Sequence, residues 1–232
     1  MTRPALIAFD LDGTLVDHEG AATNGLHRWL RSLDATPTAE LTAEWFRIEK
    51  KHVTSWREGS ISWDEQRRQR LREFLPLIGR AVGEPGDLDR CFREGYLPAY
   101  EDSWTAYPDA RPVLEELIAR GFTVAIISNG QDAQQSGKLR RTGLAGLVPD
   151  VLTADGLGVA KPDPAIFTRA CARLDVAPDA VLYVGDEYDL DVVAARAAGL
   201  RAVHLDRPDS NRFHEASRVT DLHQLLGRSE LV

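Results

Sequence analysis

Cysteine is nearly absent. Only Cys91 and Cys171 occur in 232 residues, too few for a disulfide framework and wrongly spaced for a cysteine metal site. Both read as inert thiols of a reducing, cytoplasmic compartment. No apolar run approaches the roughly 18 residues a membrane span needs, so no membrane association is expected. The first apolar run, residues 5–9, stops at Asp10, too short and too acidic for a signal peptide. Positive charge is in the minority: 28 Lys and Arg against 36 Asp and Glu give a net −8, which argues against nucleic acid as a partner. Gly-x-Gly-x-x-Gly and the Walker loop are missing, which weakens dinucleotide and NTPase readings. Internal repeats and low-complexity segments are missing too.

What is present is a globular composition, 43% hydrophobic and 28% charged, in a chain long enough to bury a sizeable core. The organising stretch is Ala5-Leu6-Ile7-Ala8-Phe9-Asp10-Leu11-Asp12-Gly13-Thr14-Leu15. A short buried strand ends on one carboxylate, and a second follows two residues later. Side chains at i and i+2 share a face, so Asp10 and Asp12 face one point past the strand end, where Gly13 lets the chain turn. Two like charges that close call for a cation or a shared proton.

Residues 17–100 carry helical periodicity and no convincing strand. Leu26, Trp29, Leu30 and Leu33 fall at i, i+3, i+4 and i+7. A second helix is expected around residues 45–56, a third over 63–77 and a fourth over 87–100. Trp29, Trp45, Trp56 and Trp63 supply a core for this unit. Arg67, Arg68, Arg70 and Arg72 of the third helix are expected on a solvated face.

From Tyr107 strands and helices alternate. Asp109 is placed to cap a helix over 109–120, and 122–127 reads as a buried strand ending at Ser128-Asn129-Gly130. A helix follows to about 142. A strand over 150–153, a helix over 163–174, a strand over 180–184 and a helix to 198 come next, then a strand over 201–205. Residues 206–209 read as a surface turn. Leu222, Leu225 and Leu226 form an amphipathic end expected to dock on the core. Continuous apolar strands separated by helices are the pattern of a parallel sheet covered on both faces. The fold class is α/β, a Rossmann-like parallel sheet core of residues 1–16 and 101–232 with an inserted α-helical domain over 17–100.

Ligands of such sheets bind beyond the carboxyl ends of the strands. There the chain delivers Asp10, Asp12, Ser128 and Asp186, with Asp191 five residues later. Asn129 and Gly130 stand at an expected helix start that favours an anion. Lys161 lies in a loop braced by Pro162 and Pro164. Carboxylates suit Mg²⁺, while an amine and a helix N-terminus suit phosphoryl oxygens. The set fits phosphoryl transfer.

In this order, Asp10-Leu11-Asp12-Gly13-Thr14, Ser128-Asn129-Gly130, Lys161-Pro162 and Gly185-Asp186 with Asp191 resemble the four motifs of the haloacid dehalogenase superfamily. The resemblance spans residues 5 to about 205, and the helical insert resembles the C1-type cap of subfamily I. It implies a Mg²⁺-dependent phosphomonoester hydrolase working through an aspartyl-phosphate on a small phosphorylated metabolite. Asp10 would be the nucleophile and Asp12 the acid and base, with Lys161 screening charge. Ser128, Asn129, Gly130, Thr14 and Lys161 would bind the phosphoryl group. Asp10, Asp186, Asp191 and the Asp12 carbonyl would hold the metal.

Asp189 and Glu187 are read as bystanders, and Glu187 and Leu190 depart from the residues common in the family there. Haloacid dehalogenases of this resemblance lack the acid found at Asp12. A sugar phosphomutase, which uses the same acid pair, is the first alternative, followed by a 2-haloacid dehalogenase and a non-catalytic binding protein on the same fold. The segment from Asn129 through Gln135, Lys138 and Leu139 to Leu144 is similar to members acting on nucleoside monophosphates and N-acylneuraminate 9-phosphate, so nucleotide and sugar phosphates are the substrate classes expected. His52, Trp56, Arg57, Trp63 and Arg67 are the insert's candidates for contact with the leaving group. Linkers near 16–20 and 96–107 would let the insert close over the site.

Overall fold

A computed structural model describes residues 3–229 and 231 of the chain. It separates into two compact units: one holds the residues up to His18 and from Thr105 onward, the other Glu19–Trp104.

The first unit is built on six parallel strands: β1 (Leu6–Phe9), β2 (Thr123–Ser128), β3 (Asp150–Thr153), β4 (Val181–Gly185), β5 (Arg201–Leu205) and β6 (Arg218–Val219). Their order across the sheet is β3-β2-β1-β4-β5-β6. β1 is therefore central, with Phe9 level with Ile126 on one side and Val184 on the other. The two-residue period of the strand sorts its side chains. Ile7 and Phe9 enter one core with Val113, Leu114 and Leu117, while Leu6 and Ala8 enter a second with Ile166, Phe167 and Ala195. All four residues of β1 are buried, which is why the run is continuously apolar. β6 carries no periodic signal in the sequence because it is only two residues long. Leu222 and Leu225 are fully buried in the first core with Leu226 packed against it.

The second unit holds three long helices. Helix α1 (His18–Ser32) crosses into it from the first unit, and α2 (Ala39–Arg57) and α3 (Trp63–Phe74) follow. Thr38 and Ser62 cap the latter two, each hydroxyl accepting a backbone N–H three residues on. A continuous helical run then comprises α4 (Pro85–Arg90), a wider π turn over Cys91–Tyr96 and α5 (Leu97–Glu101). Trp29 and Trp45 are buried with Phe74 and Tyr96, their rings 5.8 Å apart. Trp56 and Trp63 are only half-buried and meet each other edge to face at 4.6 Å.

The arginine face is corrected in part. Arg70 is buried, its Nη1 2.9 Å from Glu49 Oε1 and its guanidinium 4.5 Å over the Trp45 ring. It points into the aromatic cluster because a planar, weakly hydrated guanidinium tolerates stacking on rings. Arg68 pairs with both Asp89 oxygens at 2.7 and 2.9 Å. Of the candidates named for the leaving group, His52 is buried on Glu73 at 2.7 Å. Arg67 lies 5.0 Å from the rings of both Trp63 and Phe92.

The remaining helices flank the sheet: α6 (Ala110–Ala119), α7 (Asp132–Arg141), the short α8 (Ala154–Leu157), α9 (Ala165–Arg173) and α10 (Ala194–Ala197), which continues a π turn over Tyr188–Val193. Arg196 of α10 makes a two-point pair with Glu215 at 2.8 and 3.1 Å. Arg196, the Ser217 N–H and the Tyr188 hydroxyl hold Glu215 at about 2, below its ordinary 4.5. A depressed carboxylate stabilises the fold above its unfolded value and loses that contribution as pH falls through the folded one. Glu215→Gln should therefore be less stable than wild type at pH 7, and the gap should close between pH 4.5 and 2; urea midpoints across that range check it.

Candidate active site

The register of the sheet brings β1, β2 and β4 to a common carboxyl edge. The Asp10 N–H extends the β1 ladder to the Val184 carbonyl at 2.8 Å, leaving its side chain at the rim. The turn after it is tight: Gly13 has φ +82°, and a Cβ there would overlap the Asp186 carboxylate. The Thr14 hydroxyl donates to that carboxylate at 2.8 Å.

Lys161 stands at the centre. Its ammonium is buried and donates to Asp10 Oδ1 at 2.7 Å, Asp191 Oδ1 at 2.6 Å and the Tyr183 hydroxyl at 3.0 Å. Tyr183 in turn donates to the Ile127 carbonyl at 2.9 Å. Asp191 also accepts the Glu187 N–H at 2.9 Å, and Gly185 leaves the space its carboxyl group fills. The loop bearing Lys161 is held by Asn129, whose side-chain oxygen accepts the Lys161 N–H at 2.7 Å while its amide donates to the Lys161 carbonyl at 2.8 Å.

Asp10, Asp186 and Asp191 each bring a carboxylate oxygen within 4.8 Å of the others. Three carboxylates thus crowd together, and one ammonium pairs with two of them, Asp10 and Asp191. Burial raises Asp10 to about 7, with Asp191 and Asp12 adding repulsion against the pull of Lys161. Burial, Asp10 and Asp191 push Asp186 well above the carboxylate range. Buried oxygen donors with surplus negative charge form a group that could hold a hard divalent cation.

Asp12 sits in the opposite environment. Lys138 Nζ lies 2.6 Å from each of its oxygens, and Gln135 donates to Oδ2 at 3.1 Å. Burial opposes ionisation, yet Lys138, His18 and Gln135 bring Asp12 down to about 2. Gln135 also donates to Ser128 Oγ at 2.9 Å, which leaves the Ser128 proton for another acceptor. Gln135 and Lys138 lie at i and i+3 on α7, on one face, and both are buried.

Asp10, Asp12, Thr14, Ser128, Asn129, Lys161, Asp186 and Asp191 lie together at this edge, with Thr14 turned to Asp186, and three details of the expected elements change. Helix α7 starts at Asp132 rather than at Asn129-Gly130, and the Asn129 side chain is spent on Lys161. Asp109 does not cap α6; its carboxylate accepts from Arg207 and from the Leu222 N–H. Residues 206–209 are not wholly a surface turn, since Asp206 is buried and Arg207 turns inward. Tyr183 and Arg207 are parts of the site that the sequence reading does not mark, and Gln135 and Lys138, singled out there only for resemblance to relatives of a given substrate class, reach Asp12. A tyrosine inside an otherwise aliphatic strand was the one local signal, because a buried hydroxyl needs a partner.

The model of the haloacid dehalogenase-like hydrolases matches residues 4–199, and the chain belongs to that family. It is 33% identical over 228 residues to (S)-2-haloacid dehalogenase 1 of Pseudomonas sp. (strain CBS-3), covering 96% of this chain and 92% of that protein. It is 34% identical over 198 residues to phosphoserine phosphatase of Thermus thermophilus, covering 83% and 76%. The crystal structure of the HAD-hydrolase YfnB from Bacillus subtilis bound to magnesium has the same fold, with a TM-score of 0.84 at 21% identity and coverage of 97% and 98%. Among the described residues no helix is long and apolar enough to cross a membrane.

Proposed function

We propose that the protein is a Mg²⁺-dependent phosphomonoester hydrolase for a small phosphorylated metabolite. The observation that carries this reading is the carboxylate surplus at Asp10, Asp186 and Asp191, three clustered acids of which Lys161 pairs with two, which hydrolysis of a carbon–halogen bond would not require. The acid at position 12 supports it further, because an ester oxygen needs a proton on leaving and a halide does not.

Asp10, Asp186, Asp191 and the Asp12 carbonyl would hold Mg²⁺, which supplies charge neutralisation at the phosphoryl oxygens. An Asp10 oxygen attacks phosphorus as the bond to the ester oxygen breaks, giving an aspartyl-phosphate. Lys161 screens the approach of the two anions. Ser128 and the backbone of Asn129 and Gly130 donate to the phosphoryl group, and Thr14 orients Asp186. Asp12 passes a proton to the leaving oxygen, then takes one from the water that cleaves the acyl phosphate. Because Lys138 and Gln135 hold Asp12 ionised at rest, the first proton enters with the monoanionic form of the ester.

The relatedness to a haloacid dehalogenase makes 2-haloacid hydrolysis the second reading. Two assays separate them: Mg²⁺-dependent phosphate release from p-nitrophenyl phosphate, and chloride release from (S)-2-chloropropionate without metal. Phosphate and no chloride is the expected result; the reverse overturns the proposal. A panel of phosphoserine, phosphoglycolate, sugar phosphates and nucleoside monophosphates then addresses the substrate class. Gly13→Ala should strain the φ of +82° and displace Asp186, weakening Mg²⁺ binding about 10- to 100-fold; the Mg²⁺ dependence of the melting temperature checks it.

A further inference from the structure

We infer that Arg207, braced by Asp109, is a positioning residue for the turn that follows the nucleophile, an inference that rests on the reading of Asp10 as that nucleophile. Arg207 lies two positions beyond β5. Its Nη2 donates to the Thr14 carbonyl at 2.7 Å and its Nε to the Gly13 carbonyl at 3.3 Å. The same guanidinium meets Asp109 at two points, Nη1 to Oδ2 and Nη2 to Oδ1, each at 3.0 Å. It lies 3.7 Å over the Tyr107 ring. Asp109 is fixed from its far side by the Leu222 N–H at 2.8 Å.

These contacts meet the turn where its own hydrogen bonds do not reach. The Gly13 N–H closes on the Val16 carbonyl, and the Leu15 and Val16 N–H groups close on Leu11. The carbonyls of Gly13 and Thr14 are taken by Arg207. Thr14 hangs its hydroxyl on Asp186 from this same backbone, so the guanidinium sets where the turn presents that hydroxyl. The end of β5 also reaches Asp186 from the other side, since His204 Nε2 donates to its carbonyl at 3.0 Å. His204 and Arg207, three residues apart, thus steer the Asp186 backbone and the nucleophile turn together. The planar fork is essential: a lysine could meet one carbonyl, but not two carbonyls and a carboxylate while lying flat on a ring.

The test uses the full chain with Arg207→Gln, Arg207→Lys and Asp109→Asn. Hydrogen exchange of the amides over residues 13–16 reads the turn directly, and kcat and KM for p-nitrophenyl phosphate read its effect on the reaction. In Arg207→Gln those amides should exchange faster and kcat should fall about 10- to 100-fold, with KM changed by less than about threefold. Arg207→Lys should stay folded and still lose about tenfold in kcat; it and Asp109→Asn decide the matter if the glutamine variant does not fold. Unchanged exchange, or faster exchange with wild-type kcat, overturns the inference. A wild type that releases no phosphate defeats the phosphatase reading instead, and the exchange of residues 13–16 then still upholds or overturns the positioning of the turn.

Discussion

Asp10→Asn is expected to abolish Mg²⁺-dependent phosphate release, by about four orders of magnitude or more, because an amide cannot form the acyl phosphate. The same substitution should leave the metal-free protein at least as stable as wild type. Asp10 is buried beside Asp186 and Asp191, and the Lys161 ammonium offsets part of their charge, so removing one of three crowded charges relieves repulsion. Loss of activity with an unchanged or higher melting temperature separates a chemical role from a structural one. Retained activity would remove Asp10 from the mechanism.

Lys161→Met should destabilise the sheet unit by about 3–5 kcal/mol, the usual result of removing one partner of a buried ion pair. Its ammonium serves Asp10, Asp191 and Tyr183 at once, so the substitution leaves two carboxylates and a hydroxyl facing an apolar side chain. Mg²⁺ should restore part of the loss by neutralising Asp10 and Asp191. Urea unfolding with and without Mg²⁺ checks both statements, and an undiminished midpoint without metal would show that the lysine is not the main counter-charge. Phosphate release should vanish in this variant as well.

Much of the sheet and the catalytic edge was legible because buried parallel strands must be apolar on both faces, which makes β1, β2 and β4 stand out as uninterrupted runs ending in polar residues. Asp10, Ser128 and Asp186 follow directly from that rule. The rest depends on side chains whose partners lie far away in sequence. Arg70 reads as one of four surface arginines until Glu49 and Trp45 are seen to receive it. Asp109 has the chemistry of a helix cap and is diverted because Arg207, nearly a hundred residues on, offers two stronger donors. Lys138 sits on a helix where lysines are ordinary, and only the packing of α7 against the β1 turn turns it to Asp12.

The central position of β1 also bears on how the molecule is made. Its two neighbours begin at Thr123 and Val181, so during synthesis this strand leaves the ribosome long before either edge can pair. At about 5–20 residues per second, the interval before β4 emerges is on the order of ten seconds or more. Until β2 emerges both edges of this apolar segment are open, and until β4 emerges one still is, the condition under which chains associate wrongly. The strand that carries Asp10 is thus first to be made and among the last to be secured, since its second edge closes only when Val181–Gly185 has been synthesised.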